Sequence, residues 1–307
     1  MTPQIKQIVD YIADSFINYE QIVAESENKV LINIESKYRN TFFDKSLSHG
    51  VPSLILMYSS LYKVTKDERY LTFSNIYVEK LVDIISRDGI ESPSLYAGTA
   101  GIALAITGPM LILAKLKSEK ILSVEVGDIL NKAINLMFLF RRDDKLWPGK
   151  IYTSNILDLD LNYLPTRMAW CYGTPGTAVA LFKMCQLIDL NFIDDINESL
   201  IAQMRSSDKN VYSLTMCHGL AGVTFIYDLI GKNYSSERLT RFAEELRQQI
   251  ITSFSTTKVF GYTDREKFGE IEVELESIGI LQGVSGIVLF LLNPYSDEEL
   301  LWQRIFI

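Results

Sequence analysis

Cys171 and the pair Cys217-His218 are the residues of this chain whose types and surroundings could do chemistry. They stand in Trp170-Cys171-Tyr172-Gly173-Thr174-Pro175-Gly176 and in Cys217-His218-Gly219. In both stretches the soft side chains precede a glycine that is followed by another three residues on: Gly173 and Gly176, Gly219 and Gly222. Thiolate and imidazole are the donors zinc prefers, and three protein donors with an open fourth position is the catalytic rather than the structural arrangement. The chain has 3 cysteines and 2 histidines, and the remaining two, Cys185 and His49, fall elsewhere in the pattern. One Cys2His site, and so one zinc per chain, is the reading these residues favour. Free cysteines are also often small buried hydrophobes, and composition alone leaves that alternative open. Cys185, mid-helix on an apolar face, reads as such a hydrophobe.

What must position these residues is a set of helices. The glycine turn occurs five times, each time running into an apolar segment: Ser46-Leu47-Ser48-His49-Gly50-Val51-Pro52-Ser53, Ser94-Leu95-Tyr96-Ala97-Gly98-Thr99-Ala100-Gly101, the two stretches above, and Leu281-Gln282-Gly283-Val284-Ser285-Gly286. The first glycines are about 48, 75, 46 and 64 residues apart, and it is the fivefold recurrence of the turn that marks a repeat. The gaps hold one-sided helical patterns at 69–87, 124–141 and 236–254. Apolar helices alternating with amphipathic ones imply an inner and an outer ring. The expected fold is therefore all-α: an α/α toroid of about five hairpins, the inner helices opened by Gly-x-x-Gly turns, forming a single domain over 1–307.

Glycine permits close backbone approach and positive φ at such turns. Helix N-termini gathered at one end would favour negative charge there. Residues 2–27 read as one opening helix, and no run alternates as a strand. Of the two long connections, 142–169 leads Arg167 and Trp170 into the first cysteine turn. The other, 255–280, is acidic and reads as a solvated lid or a plain loop.

At 307 residues, 48% hydrophobic and 22% charged, the composition is that of a globular protein. A net charge of −8 gives no basic footprint for nucleic acid and suits a basic peptide partner. No signal-peptide core and no membrane span is expected. Free thiol ligands call for a reducing compartment, which points to the cytoplasm.

WCYGTPG at 170–176, CHGLAG at 217–222, SLYAGTAG at 94–101, LSHG at 47–50 and the terminal LWQRIFI together resemble the lanthionine synthetase C-like family, whose cyclases close thioether rings in lantibiotic precursors. The likeness runs from about residue 45 to the C-terminus. It implies an α/α toroid with one catalytic zinc held by Cys171, Cys217 and His218, and a dehydrated precursor peptide as substrate. A peptide cysteine would take the fourth zinc position and add as thiolate to dehydroalanine or dehydrobutyrine, and the resulting enolate would be protonated. Arg167 stands where the family has an active-site arginine, and Trp170 and Tyr172 match its aromatic neighbours, with Trp170 expected against substrate. A dehydratase and an exporter are the partners such a complex implies, with peripheral membrane association through them.

One departure matters. Family members run to about seven hairpins, and the two that look absent here, between SLYAGTAG and WCYGTPG, supply an active-site aspartate and a second histidine. No histidine lies between Ile106 and Cys171. Tyr172, Arg167, His49 or solvent is left to donate the proton, and His49 reads more readily as a packed or capping residue. Besides a shortened, active cyclase, two readings stay open: a catalytically reduced zinc-binding member that holds a precursor peptide or partner enzyme, and a toroid with a merely structural zinc.

Overall fold

The computed structural model describes residues 1–28, 50–88, 134–135, 137–149, 166–187, 191–207, 211–268, 271–296, 300 and 302–303. The turn at 94–101, His49, and the stretch in which two hairpins are expected to be absent lie outside the described residues, apart from 134–135, 137–149 and 166–170. The described elements are, in chain order, α1 (Pro3–Ser15), α2 (Tyr19–Asn28), α3 (Val51–Thr65), α4 (Glu68–Asp88), α5 (Gly173–Leu187), α6 (Ile193–Arg205), α7 (Leu220–Asn233), α8 (Glu237–Thr252), β1 (Asp264–Phe268), β2 (Ile271–Leu275) and α9 (Val284–Leu292), then a 3-10 turn, Asn293–Tyr295.

Two expectations are corrected. The single opening helix is two, because Asn18 starts a new one: its Oδ1 accepts from the Gln21 N–H at 3.2 Å and its carbonyl from the Ile22 N–H at 3.1 Å. Residues 264–268 and 271–275 pair as an antiparallel two-stranded ribbon where no strand is expected. In β1, Asp-Arg-Glu-Lys-Phe, four charged residues precede one apolar one, so the alternation that betrays a strand is missing. Arg265 and Glu274, paired across the ribbon, make an exposed salt bridge at 2.9 Å.

The described residues fall into two compact units. In the one formed by 1–98, 212–222 and 246–306, α3 packs on α4 and α9, and α9 also meets α1. Every residue of α9, Val-Ser-Gly-Ile-Val-Leu-Phe-Leu-Leu, is buried, each large apolar side chain contributing about 1.5–3 kcal/mol. Tyrosines add hydrogen bonds to carbonyls at the C-terminal end of α1. Tyr58 donates to the Ala13 carbonyl at 2.6 Å and Tyr77 to that of Phe16. Their rings stack with centroids 5.8 Å apart. In the unit formed by 99–211 and 223–245, α5 packs on α6, and Tyr227 of α7 donates to the Leu200 carbonyl of α6 at 3.0 Å. No described helix is long and apolar enough to cross a membrane.

Candidate metal centre

Residues 166–172 carry four of the candidate residues into α5, and Trp147 anchors them. This buried tryptophan donates through Nε1 to the Met137 carbonyl at 2.9 Å. Its backbone is held at both ends: the N–H donates to Thr174 Oγ1 at 3.1 Å, and the carbonyl accepts from Thr166 Oγ1 at 3.2 Å. Arg141, whose guanidinium carbon lies 5.2 Å from the Trp147 ring centroid, pairs with Asp195 and Glu198 of α6, each at 2.9 Å. Between Thr166 and Thr174 the chain turns tightly. Gly173 has φ +71°, and a Cβ there would stand 2.0 Å from the Arg167 carbonyl oxygen; at Gly176 it would stand 2.6 Å from that of Trp170. Glycine is obligatory at both for want of space, and at Gly173 for its conformation as well. Within the turn, the Arg167 guanidinium carbon lies 5.6 Å from the Tyr172 ring centroid, a cation–π contact. Trp170 and Cys171 are buried and Tyr172 half-buried.

The Cys217-His218 turn and the turn before α9 share one design. Ser213, Leu214 and Thr215 offer their carbonyls, seven residues back, to the first N–H groups of α7, those of Leu220, Ala221 and Gly222, at 3.1, 3.2 and 3.5 Å. Ser277, Ile278 and Gly279 do the same for Val284, Ser285 and Gly286, at 2.9, 3.3 and 3.4 Å. A Cβ on Gly219 would lie 2.3 Å from the Thr215 nitrogen, and one on Gly283 2.2 Å from the Gly279 nitrogen. This corrects the expectation that these helix starts favour anions, since at α7 and α9 the N–H groups are already taken by the chain's own carbonyls.

The two turns are joined: the Cys217 N–H donates to the Leu281 carbonyl at 2.8 Å. A Cβ on Gly286 would meet Met216 Cγ at 2.8 Å, so the start of α9 also abuts the residue before Cys217. His218 Nε2 stands 3.5 Å from Cys217 Sγ, and its Nδ1 stands 3.4 Å from Gln282 Nε2.

The donor atoms of Cys171, Cys217 and His218 lie within 4.8 Å of one another. Donors around a tetrahedral zinc stand about 3.5–3.8 Å apart, given bonds near 2.0–2.3 Å. The 3.5 Å between Cys217 Sγ and His218 Nε2 matches one such edge, so the set could hold a metal ion. Gln282 was not anticipated from sequence as part of this neighbourhood, and its adjacency to the third glycine turn was the one available signal.

The family described as "Lanthionine synthetase C-like protein" matches residues 41–107 and 106–307. The chain belongs to this family. Among lanthionine synthetase C-like relatives, the nisin biosynthesis protein NisC of Lactococcus lactis subsp. lactis is 35% identical over 244 residues, covering 72% of this chain and 53% of that protein. The chain thus spans about half the length of that curated relative. A solved structure of nisin cyclase superposes with a TM-score of 0.70 at 17% identity, covering 94% of this chain and 96% of that one. This likeness shows the fold, the all-α toroid class expected from the repeats.

Proposed function

We propose that the protein is a zinc-dependent lanthionine cyclase, which adds the cysteine thiols of a dehydrated precursor peptide to dehydroalanine or dehydrobutyrine. The convergence of two thiols and one imidazole within 4.8 Å carries this reading, in a chain of this family. Cys171, Cys217 and His218 would hold one zinc ion per chain. Bound there, zinc would lower the pKa of a peptide thiol so that it is thiolate at neutral pH.

The rest falls to the protein. As the thiolate attacks the β-carbon, the C=C electron pair moves onto the α-carbon and its carbonyl, and the negative charge that develops there needs a nearby cation. Arg167 supplies that charge, its guanidinium kept in place by the Tyr172 ring. Protonation of the α-carbon then completes the thioether. The Tyr172 hydroxyl, Arg167, His49 or water gives the proton, and Trp170 forms an apolar wall against the peptide. We read 1–307 as one domain of about five hairpins, acting in the cytoplasm, where thiols stay reduced, and in contact with a dehydratase and an exporter near the membrane.

A second reading rests on a specific observation. The family match breaks into two segments that meet at 106–107, next to the stretch from Ile106 to Cys171 that contains no histidine. This favours a shortened member with its proton donor lost, one that binds the precursor or a partner enzyme without closing rings. The test is to incubate the zinc-loaded protein with its dehydrated precursor and then alkylate the remaining thiols, because cyclisation leaves the mass unchanged and only free thiols react. Loss of alkylation with the native protein but not with Cys171→Ala supports the cyclase. Thiols that stay free while the peptide is bound reject it in favour of the binding protein.

A further inference from the structure

We propose that Gln282 is a positioning residue for the metal site, holding the His218 ring by accepting a hydrogen bond at Nδ1. The inference rests on the reading of Cys171, Cys217 and His218 as zinc ligands, and it follows from which way the ring faces. Its Nε2 is on the thiol side, 3.5 Å from Cys217 Sγ, and its Nδ1 is on the amide side, 3.4 Å from Gln282 Nε2. A neutral imidazole that gives Nε2 to a metal keeps its proton on Nδ1, and that N–H needs an acceptor. Turned end for end about its last bond, the Gln282 amide puts Oε1 where Nε2 stands, and the contact becomes Nδ1–H to Oε1.

The backbone keeps the two side chains paired although 64 residues separate them. The bond from the Cys217 N–H to the Leu281 carbonyl aligns the two turns one residue before each partner. Gln282 itself springs from a stretch with no slack, since the next residue, Gly283, has no room even for a Cβ and the N–H groups of Val284, Ser285 and Gly286 are bonded to 277–279. The backbone from which the Gln282 side chain springs is thereby held in place beside His218. An amide also leaves the site's charge unchanged, so the zinc and its two thiolates stay neutral as a group, whereas a carboxylate would add a negative charge.

The experiment measures zinc affinity of the full-length chain by competition with a chromophoric chelator, for the native protein and for Gln282→Ala, Gln282→Met and Gln282→Glu. Loss of an outer hydrogen-bond partner typically weakens metal binding about 10–100-fold. That loss is expected for Ala and for Met, which keeps the length of the side chain but accepts no hydrogen bond. Glu, which accepts, should bind within a few-fold of the native protein or more tightly. The metal-free thermal midpoint should be the same for all four. Native affinity in the Met variant, or equal loss in Met and Glu, overturns the proposal. Should Ala and Met fail to fold, a ten-fold weaker Glu variant overturns it and a native-like one supports it. A native protein that binds no zinc overturns the metal reading itself, a result distinct from any of these.

Discussion

Cys185 and the two candidate ligand cysteines share a side chain but differ in surroundings, and that difference sets a test at the level of single residues. Cys185 lies half-buried on α5, where desolvation pushes its thiol above the usual range. A thiol held protonated is a poor ligand and a poor nucleophile. Metal analysis after gel filtration should give one zinc per chain for the native protein and for Cys185→Ala, and none for Cys171→Ala or Cys217→Ala. Zinc retained in both ligand variants would remove the site. The candidate set of Cys171, Cys217 and His218 was legible in the sequence because cysteine and histidine are so scarce here, with 3 and 2 in 307 residues, and because both stretches share one glycine frame. Gln282 was not legible. Glutamine is common and chemically bland, and its role depends on a backbone bond between turns far apart in the chain.

At the scale of the helix and the turn, hydrophobic periodicity located α4 and α8 nearly to their ends, and repeated glycines marked where α3, α5, α7 and α9 begin. What periodicity cannot convey is where a backbone hydrogen bond goes. The carbonyls seven residues back that cap α7 and α9, the new start at Asn18 and the charged strand β1 all depend on that. The glycines of the capped turns make a prediction about stability. A Cβ on Gly283 would sit 2.5 Å from the Ser277 carbonyl oxygen and 2.2 Å from the Gly279 nitrogen, both backbone atoms that cannot swing aside. Gly283→Ala should therefore cost at least about 1–3 kcal/mol, the usual penalty of overpacking. At Gly231, inside α7, a Cβ would meet the Thr240 methyl at 2.9 Å, the Thr240 nitrogen at 3.0 Å and Leu239 Cβ at 3.1 Å, all farther off than the backbone atoms around Gly283. There the gain in helix propensity, up to about 1 kcal/mol, should offset part of the milder crowding, so Gly231→Ala should cost less than Gly283→Ala. Denaturant midpoints measure both, and equal losses would refute the distinction.

For the whole molecule, composition and the repeats were enough to read the fold class, while the number of hairpins rests on the stretch between Ile106 and Cys171. Composition also bears on stability at high pH, through 16 tyrosines. Tyr58, Tyr77, Tyr227 and Tyr262 are fully buried, and burial raises the pKa of each well above that of an exposed phenol. A tyrosine exposed by unfolding ionises near pH 10. Below that pH both states hold the proton, and these residues leave stability independent of pH. Above it the unfolded chain loses protons that the folded chain keeps, so stability falls as pH rises. Each such group contributes about 1.4 kcal/mol per pH unit, and four together about 5. Against a total stability of about 5–15 kcal/mol, the fold should give way within roughly one to three units above pH 10. Phenolate absorbance should then rise in two stages. Exposed tyrosines titrate first near pH 10, and the buried four appear only together with the loss of helical circular dichroism. A single smooth titration of every tyrosine near pH 10 with the helices intact would show that these four rings are open to solvent.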